Sequence, residues 1–210
     1  RSLCNEDLLD RIVKAAVPID SDCDILEIGP GPCGLTRSIL NLTSNRLFCI
    51  EKDIRFKSLH DNLLRYSNKN LHFIYDDALN IDIKDLTKNK VVIIANLPYN
   101  VSTALLTKWL LYNIDQIDKM ILMFQKEVAE RICARVNTKQ YGKLSILSQL
   151  LCNVEQVFTI SNRAFIPVPK VISAVVLFRP KHITIDSIDS FNNLIEACFQ
   201  HRRKTIRSVL

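Results

Sequence analysis

The stretch Glu27-Ile28-Gly29-Pro30-Gly31-Pro32-Cys33-Gly34 decides the fold, because it joins a short apolar run to a helical pattern. Its three glycines have the G-x-G-x-x-G spacing of a nucleotide-binding turn. Glycine lets the backbone approach a ligand closely, and a helix N-terminus offers free N–H groups. A tight strand-to-helix turn without a ligand is the alternative. The stretch therefore predicts a βα unit with a candidate nucleotide site where the strand ends.

The rest of the chain repeats this alternation of apolar runs and helical patterns. Together with the strand before the glycine turn, seven strands are predicted: Asp24–Ile28, Arg46–Glu51, Leu71–Tyr75, Lys90–Ala95, Lys119–Phe124, Val154–Ile160 and Val171–Phe178. Asn5 is expected to cap the first helix, and Ser102 or Thr103 a later one. Such alternation predicts an α/β fold with a mostly parallel sheet and one antiparallel hairpin, and places ligands at the carboxyl ends of the strands.

The pattern changes after Pro180 to helices alone, at Ile188–Phe199 and Arg202–Leu210. We predict one α/β domain over residues 1–180 and the beginning of a small helical domain over 181–210. Because the chain begins at Arg1 rather than Met and ends inside a predicted helix, we expect it to be a piece of a longer protein.

The composition is that of an ordinary globular protein, with 48% hydrophobic and 24% charged residues. No apolar stretch approaches the roughly 20 residues that span a bilayer, so no membrane association is expected. The seven cysteines are scattered and form no Cys-x-x-Cys pair, and the four histidines are equally dispersed. This distribution indicates reduced thiols in a cytoplasmic protein and no metal site.

The net charge of +6 is unevenly distributed. Residues 1–100 carry 13 Lys and Arg against 14 Asp and Glu, whereas residues 101–210 carry 15 against 8. The basic second half favours a polyanionic partner, with a solvated basic surface as the alternative. Candidate phosphate contacts are Lys139, Lys143, Arg163, Lys170, Arg202, Arg203, Lys204 and Arg207.

Carboxylates follow the next two strands after the glycine turn. Glu51 ends the second strand, where it can accept hydrogen bonds from both hydroxyls of a ribose. Asp77, with Ala78, follows the third strand and can accept a bond from an adenine amino group, although a solvated turn is the alternative. These elements predict a nucleoside cofactor, and NAD and S-adenosylmethionine both fit them.

The tetrapeptide Asn96-Leu97-Pro98-Tyr99 follows the fourth strand and suggests the chemistry. The Asn96 side-chain oxygen and a backbone carbonyl of Leu97 or Pro98 can accept the two N–H bonds of an adenine amine, which directs its lone pair at an electrophilic methyl group. Tyr99 can stack on the base. Catalysis would then rest on orientation and charge placement, without a strong base. A capped turn is the alternative.

Several longer stretches carry a family resemblance. They are ILEIGPGP, GLTRSIL, IEKD, DDALNID, NLPYNVST, MFQKEVAERI, YGKLSILSQLL, AFIPVPKVISAVV and FQHRRKTIRSVL. In order and spacing the chain resembles the ribosomal RNA adenine dimethyltransferases, in particular the bacterial small-subunit enzymes. The resemblance implies a Rossmann-like S-adenosylmethionine-dependent methyltransferase domain followed by a helical RNA-binding domain.

The resemblance also implies an activity and a site. Methyl groups from S-adenosylmethionine would pass to two adjacent adenosines near the 3′ end of 16S RNA in the immature small ribosomal subunit, with S-adenosylhomocysteine as product and the protein acting as a monomer. The implied cofactor-binding residues are Glu27, Gly29, Gly31, Glu51, Lys52, Asp77, Ala78 and Asn96. The implied residues around the target adenine are Asn96, Leu97, Pro98, Tyr99 and Phe165.

Two departures from the family pattern are expected to weaken cofactor affinity. Cys33 stands where the family's glycine loop has its last glycine, and Asp76 replaces a glycine before the family's aspartate. The family's basic N-terminal segment, which closes over the cofactor, is not found in the sequence, so an incomplete site is expected. The alternatives are an antibiotic-resistance methyltransferase of the large-subunit RNA, a non-catalytic assembly factor and, from the glycines alone, a nicotinamide oxidoreductase.

Overall fold

The strands form one large sheet and one short pair, in a computed structural model that describes residues 2–200 except 4, 68, 69, 167, 169 and 184. In that part of the chain the strands are β1 (Ser2–Leu3), β2 (Asp24–Ile28), β3 (Leu47–Glu51), β4 (Leu71–Tyr75), β5 (Val91–Asn96), β6 (Ile117–Gln125), β7 (Cys152–Ile160), β8 (Phe165–Ile166) and β9 (Ser173–Pro180). The α-helices are α1 (Glu6–Lys14), α2 (Gly34–Leu42), α3 (Lys57–Tyr66), α4 (Ile83–Leu86), α5 (Ser102–Lys108), α6 (Lys126–Ile132), α7 (Lys143–Leu151) and α8 (Ile188–Gln200).

The large sheet has seven strands in the order β4-β3-β2-β5-β6-β9-β7. The first five are parallel, and β9 is antiparallel to both of its neighbours. The predicted α/β fold with a mostly parallel sheet and one antiparallel pair is confirmed. Because β3 and β4 lie on one side of β2 while β5 and β6 lie on the other, the strand order reverses between β2 and β5. In open α/β sheets such a reversal leaves a crevice at the carboxyl ends of the strands.

Helices cover both faces of the sheet. Adjacent residues of one strand belong to different apolar clusters, as Ile25 and Leu26 of β2 show. One cluster packs against α1 and α2 through residues such as Leu9, and the other packs against α5 and α7 through residues such as Leu106. The result is a three-layer arrangement in which the central strands are buried on both sides, which explains their continuous apolar runs.

Of the two predicted helix N-caps, the structure confirms the one on α1 and contradicts the one on α5. The Asn5 side chain accepts a hydrogen bond from the Leu8 amide at 3.1 Å, so the predicted cap of α1 is confirmed. The predicted cap at Ser102 or Thr103 is wrong, because α5 begins at Ser102 itself without a side-chain cap. The Ser102 hydroxyl instead donates to the carbonyl of Tyr99 at 3.1 Å.

The region beyond β9 begins with α8, which packs on the sheet domain. Ile195 of α8 is buried in the cluster beneath α7, and Glu196 forms an ion pair with Lys143 at 2.6 Å. The domain boundary between residues 180 and 181 stays a prediction, and the predicted helix over 202–210 lies outside the described residues. Among the described helices, none is long and apolar enough to cross a membrane.

Candidate active site

A cleft of about 870 Å³ opens at the carboxyl ends of β2 and β5, at the strand-order reversal. Its size is that of a small-molecule or cofactor site. The lining residues are Leu9, Glu27, Gly29, Pro30, Gly31, Pro32, Gly34, Leu35, Glu51, Asp53, Phe56, Asn96, Leu97, Pro98, Tyr99, Asn100, Gln125, Phe165 and Ile166. The structure therefore brings the glycine turn, the Glu51 carboxylate and the tetrapeptide 96–99 into one cavity.

The glycine turn needs its glycines for their backbone conformation. Gly29 has a φ of +69° and Gly31 a φ of +51°, which side chains rarely tolerate. The Gly29 amide donates to the carbonyl of Ile50 at 2.8 Å, which ties the turn to the end of β3. A Cβ on Gly29 would lie 4.0 Å from the Pro98 ring. The turn is therefore held directly beside the tetrapeptide loop.

The Glu51 carboxylate is fixed in the cleft by backbone donors. Its Oε2 accepts from the Gly31 amide at 3.0 Å, and its Oε1 accepts from the Asp53 amide at 2.8 Å. Each carboxylate oxygen has a second lone pair, so the group can still accept two hydrogen bonds from a ligand. A buried carboxylate that is already oriented is suited to a pair of ribose hydroxyls.

Glu27 lies deeper in the same cleft and is 1% exposed. Its Oε2 accepts from the Thr36 hydroxyl at 2.7 Å and from the Cys49 thiol at 3.5 Å. Burial raises the pKa of Glu27 to about 7, because removal from water disfavours the charged form, and the nearby charge of Glu51 adds to this effect. The hydrogen bonds from Thr36 and Cys49 act in the opposite direction. A cationic ligand in the cleft would favour its ionised form.

Three of the residues expected to hold the cofactor are not part of the cleft lining. Lys52 and Asp77 form an ion pair at 2.7 Å between the ends of β3 and β4, and the Lys52 ammonium lowers the pKa of Asp77. The second Asp77 oxygen accepts from the Leu79 amide at 3.0 Å. Ala78 packs in the apolar core. These residues shape the edge next to the cleft.

The tetrapeptide loop presents its polar groups to the cleft. Asn96 is half-buried at the end of β5, and Leu97 is 1% exposed. The carbonyl of Pro98 accepts from the Val101 amide at 3.1 Å, so of the two predicted carbonyls that of Leu97 is the better candidate to accept from a substrate. Phe165, also 1% exposed, lines the cleft.

Sequence reasoning missed several residues of the site. Phe56, Asn100 and Gln125 line the cleft without having been predicted. A signal existed for Gln125, because it follows the predicted strand Lys119–Phe124 as Asn96 follows its own strand. No motif gave a signal for Phe56. Its ring lies opposite Gly31, and a Cβ on Gly31 would be 3.9 Å from the ring.

Lys108 of α5 was also not predicted, and it connects two segments beside the cleft. Its ammonium donates to the carbonyls of Ala78, Leu79 and Ile81 at 3.3, 2.8 and 2.5 Å. Burial lowers the pKa of Lys108. The three bonds fasten the segment after Asp77 to the helix that follows the tetrapeptide loop.

The two family departures lie in turns beside the cleft and outside its lining. Cys33 is buried with a φ of +64°, in the left-handed region where the family has glycine, a conformation that costs an L-residue roughly 1–2 kcal/mol. Asp76 accepts from the Asp77 amide at 2.6 Å. Both residues therefore bear on the shape of neighbouring turns and touch no cleft surface directly.

The candidate phosphate contacts differ in their surroundings. Lys139, Arg163 and Lys170 are exposed, and Arg163 lies two residues before Phe165 of the cleft. Lys143 is engaged with Glu196. The remaining candidates, Arg202, Arg203, Lys204 and Arg207, lie outside the described residues.

Comparison with known proteins decides the family. The profile described as ribosomal RNA adenine dimethylase matches residues 2–210. The chain belongs to the ribosomal RNA adenine dimethylase family. Membership in the dimethylase family confirms the predicted enzyme class, an S-adenosylmethionine-dependent rRNA adenine dimethyltransferase, and its methyl donor.

Individual relatives agree with the dimethylase family. The chain is 42% identical over 210 residues to "Ribosomal RNA small subunit methyltransferase A" of Wolbachia pipientis subsp. Culex pipiens, covering 99% of this chain and 79% of the relative. A solved dimethyladenosine transferase from Plasmodium falciparum is 33% identical with a TM-score of 0.85, covering 100% of this chain and 74% of that one. The 23S rRNA methyltransferase ErmE shares the fold, with 24% identity, a TM-score of 0.77 and coverage of 100% and 83%.

Proposed function

We propose that this protein transfers methyl groups from S-adenosylmethionine to the exocyclic amines of two adjacent adenosines near the 3′ end of small-subunit (16S) rRNA, giving dimethyladenosines. One observation carries the proposal: Asn96 and the Leu97 backbone face the same cleft as the glycine turn and the Glu51 carboxylate. A methyl donor and an acceptor amine can therefore meet in one cavity.

The cleft fits the methyl donor in its shape and its donor set. Gly29 and Gly31 leave the backbone bare along one wall, and Glu51 offers two free lone pairs for ribose hydroxyls. Glu27 places a second carboxyl group deep in the cleft, where a cationic group is favoured. The predicted roles of Asp77 and Ala78 at the adenine end, and of Lys52 in cofactor binding, remain part of the proposal. When bound, S-adenosylmethionine supplies an electrophilic methyl group.

The residues of the tetrapeptide loop orient the acceptor amine. The Asn96 oxygen and the Leu97 carbonyl accept its two N–H bonds, which leaves the nitrogen lone pair free to attack. Tyr99 and Phe165 stack beside the base. Attachment of a methyl group would make the nitrogen cationic, and this cation is acidic enough to release a proton to water without a dedicated base. The catalytic work is therefore positioning and electrostatic stabilisation.

The small-subunit RNA is favoured over the large-subunit RNA by similarity. The chain is 42% identical to a relative named for the small ribosomal subunit and 24% identical to ErmE, which is named for 23S rRNA. We further propose that the protein acts as a monomer on the immature small subunit in the cytoplasm. A non-catalytic assembly factor is disfavoured, because Asn96 and Tyr99 are both retained and line the cleft.

Methyl incorporation tests the proposal directly. Small and large ribosomal subunits that lack adenine dimethylation are incubated with the protein and methyl-labelled S-adenosylmethionine. We expect label in two adjacent adenosines of the small-subunit RNA. Asn96→Ala should lower the rate by about two orders of magnitude, the scale of losing one preorganised polar contact, while cofactor affinity changes far less. Asn41→Ala, at the exposed end of α2, is the matched control. Label confined to large-subunit RNA would reject the proposed substrate.

A further inference from the structure

A histidine outside the predicted site lies directly behind the glycine turn. His60 of α3 is 0% exposed, and its ring stacks on Phe73 with centroids 4.1 Å apart and planes within 8°. Its Nε2 lies 2.8 Å from the Gly31 carbonyl oxygen, and its Nδ1 lies 2.9 Å from the Tyr75 hydroxyl. Both ring nitrogens therefore have partners, one of which belongs to the cleft wall.

The chemistry of these partners determines the tautomer of His60. A carbonyl oxygen only accepts hydrogen bonds, so Nε2 must carry the proton that is donated to Gly31. In the neutral ring Nδ1 is then the acceptor, and the Tyr75 hydroxyl is its donor. Burial raises the pKa of Tyr75, which keeps that hydroxyl protonated. The bonds run in one direction, from Tyr75 to His60 and from His60 to Gly31.

Gly31 is consequently anchored on both sides of its Cα. Its N–H donates to the Glu51 carboxylate at 3.0 Å, and its carbonyl accepts from His60. The Cys33 thiol makes a weaker approach to the same carbonyl at 3.8 Å. Glycine loses more backbone freedom on ordering than any other residue, and Gly31 has a positive φ. The two hydrogen bonds hold Gly31 in the conformation in which its amide orients Glu51.

We propose that His60 is a positioning residue for the methyl-donor site, and that Tyr75 fixes the His60 tautomer for this role. The inference rests on the proposed function, in which Gly31 and Glu51 hold S-adenosylmethionine. His60 touches neither substrate. It preorganises the glycine turn so that binding does not have to order it.

A purely structural histidine would behave differently from a positioning one. If His60 served only to fill the core between α3 and β4, its loss would lower the melting temperature and leave the affinity of the folded protein for its ligand unchanged. If His60 positions Gly31, replacing it by an aromatic ring that stacks but cannot donate a hydrogen bond should weaken binding of S-adenosylmethionine. Replacing it by an amide side chain that can donate should keep the affinity near that of the wild type.

Binding of S-adenosylmethionine by calorimetry on the full chain separates the two roles. His60→Phe keeps an aromatic ring beside Phe73 and removes the donor, and we expect the dissociation constant to rise about tenfold. His60→Gln keeps an N–H near the position of Nε2, and its affinity should stay within about threefold of the wild type. Turnover of His60→Phe at saturating S-adenosylmethionine should stay within about twofold of the wild type, because the target loop is untouched.

Phe73→Leu is the matched packing control, since it disturbs the stacked ring and removes no hydrogen bond. It should lower the melting temperature and leave the dissociation constant unchanged. Nitrogen-15 NMR of the histidine ring gives a readout that does not depend on a variant: the wild type should show a protonated Nε2 and an unprotonated Nδ1. Tyr75→Phe should mix the two tautomers and raise the dissociation constant about two- to threefold.

The outcomes distinguish this inference from the proposed function. A wild-type chain that does not bind S-adenosylmethionine would overturn both. Wild-type binding with an unchanged dissociation constant in His60→Phe, or a wild-type ring protonated at Nδ1 alone, would overturn the role of His60 and leave the proposed function intact. Should His60→Phe fail to fold, His60→Gln, Tyr75→Phe and the wild-type NMR spectrum still decide the question.

Discussion

The Tyr99 hydroxyl lies 2.7 Å from the hydroxyl of Ser173, the first residue of the antiparallel strand β9. Ser173 is fully buried, whereas Tyr99 is half-buried at the cleft. The bond therefore links the loop after β5 to a strand two positions away in the sheet. Through it, strand β9 contributes to the orientation of the ring that we propose stacks on the target base.

Removing this bond should slow methyl transfer without affecting the methyl donor. Ser173→Ala removes this bond to the Tyr99 hydroxyl, and we expect a loss of about two- to tenfold in turnover, the scale of one net hydrogen bond. The dissociation constant of S-adenosylmethionine should not change, because Ser173 does not line the cleft. Ser148→Ala is the matched control, as the buried Ser148 hydroxyl has no hydrogen-bond partner among the described residues. Equal turnover in the two variants would contradict the role of Ser173.

Loss of the Glu51 carboxylate should weaken binding of the methyl donor. Glu51→Ala removes the proposed acceptor of the ribose hydroxyls and also frees the amides of Gly31 and Asp53. Each charge-assisted bond contributes about 1.5–3 kcal/mol, so we expect at least about a tenfold rise in the dissociation constant by calorimetry. Asp61→Ala, which removes an exposed carboxylate paired with Lys57 on α3, should leave it unchanged. Unaltered affinity in Glu51→Ala would remove Glu51 from the site.

The burial of Glu27 predicts a dependence of stability on pH. Its pKa is about 7 in the folded protein against an ordinary value of 4.5, so the folded state holds this proton more tightly than the unfolded state. The corresponding stability is fully present below pH 4.5 and is lost as the pH rises towards 7. The full loss is on the order of 3 kcal/mol.

Glu27→Gln should abolish this loss while keeping an oxygen that accepts from Thr36. Urea unfolding of the wild type and the variant at pH 5 and pH 8 measures the effect. From pH 5 to pH 8, the free energy of unfolding of the variant should rise relative to that of the wild type. The other titrating groups are common to both proteins, so the difference reports on Glu27. An equal pH dependence in the two proteins would show that Glu27 ionises normally when buried.

The sequence was sufficient for the features that depend on local pattern. The strands Asp24–Ile28 and Leu71–Tyr75 were predicted with their observed bounds, because each is an apolar run between turn residues. The convergence of Glu51 and Asn96 in one cleft followed from the rule that carboxyl ends of parallel strands meet at one edge. The predicted strand Val154–Ile160 begins two residues too late, because no glycine or proline marks the change from α7 to β7 at Cys152.

Contacts between distant elements could not be predicted in this way. The pairing of β1 with β8 involves two residues from each strand, too few to produce a periodic pattern. The bonds from His60 to Gly31 and from Ser173 to Tyr99 depend on how helices and strands pack in three dimensions, which periodicity does not encode. Asp77 was placed correctly at a strand end, but its pairing with Lys52 beside the cleft depends on the register between β3 and β4.

The basic second half of the chain carries exposed cations close to the cleft. Arg163 and Lys170 are exposed and flank the segment that carries Phe165, so we expect both to contact phosphates of the target RNA. A phosphate contact releases condensed counterions, and each lost contact should reduce the slope of log affinity against log salt by about 0.7–0.9. The double variant Arg163→Ala, Lys170→Ala should therefore reduce the slope by about 1.4–1.8.

A charge-matched variant separates contact from general attraction. Lys84 and Lys88 are exposed near the amino end of β5, whereas Asn96 lies at the carboxyl end of the same strand. Replacing both by Ala removes the same charge, yet it should leave the slope unaltered, because both residues lie outside the cleft and we expect no phosphate contact there. Equal slopes for the two double variants would mean that the basic half attracts RNA without these contacts. Phosphate contact by Arg202 and Arg203 stays a prediction, and the salt dependence of RNA affinity tests it as well. If the two residues contact phosphate, replacing both by Ala should reduce the slope. If they instead dock against another part of the protein, the replacement should lower only the melting temperature.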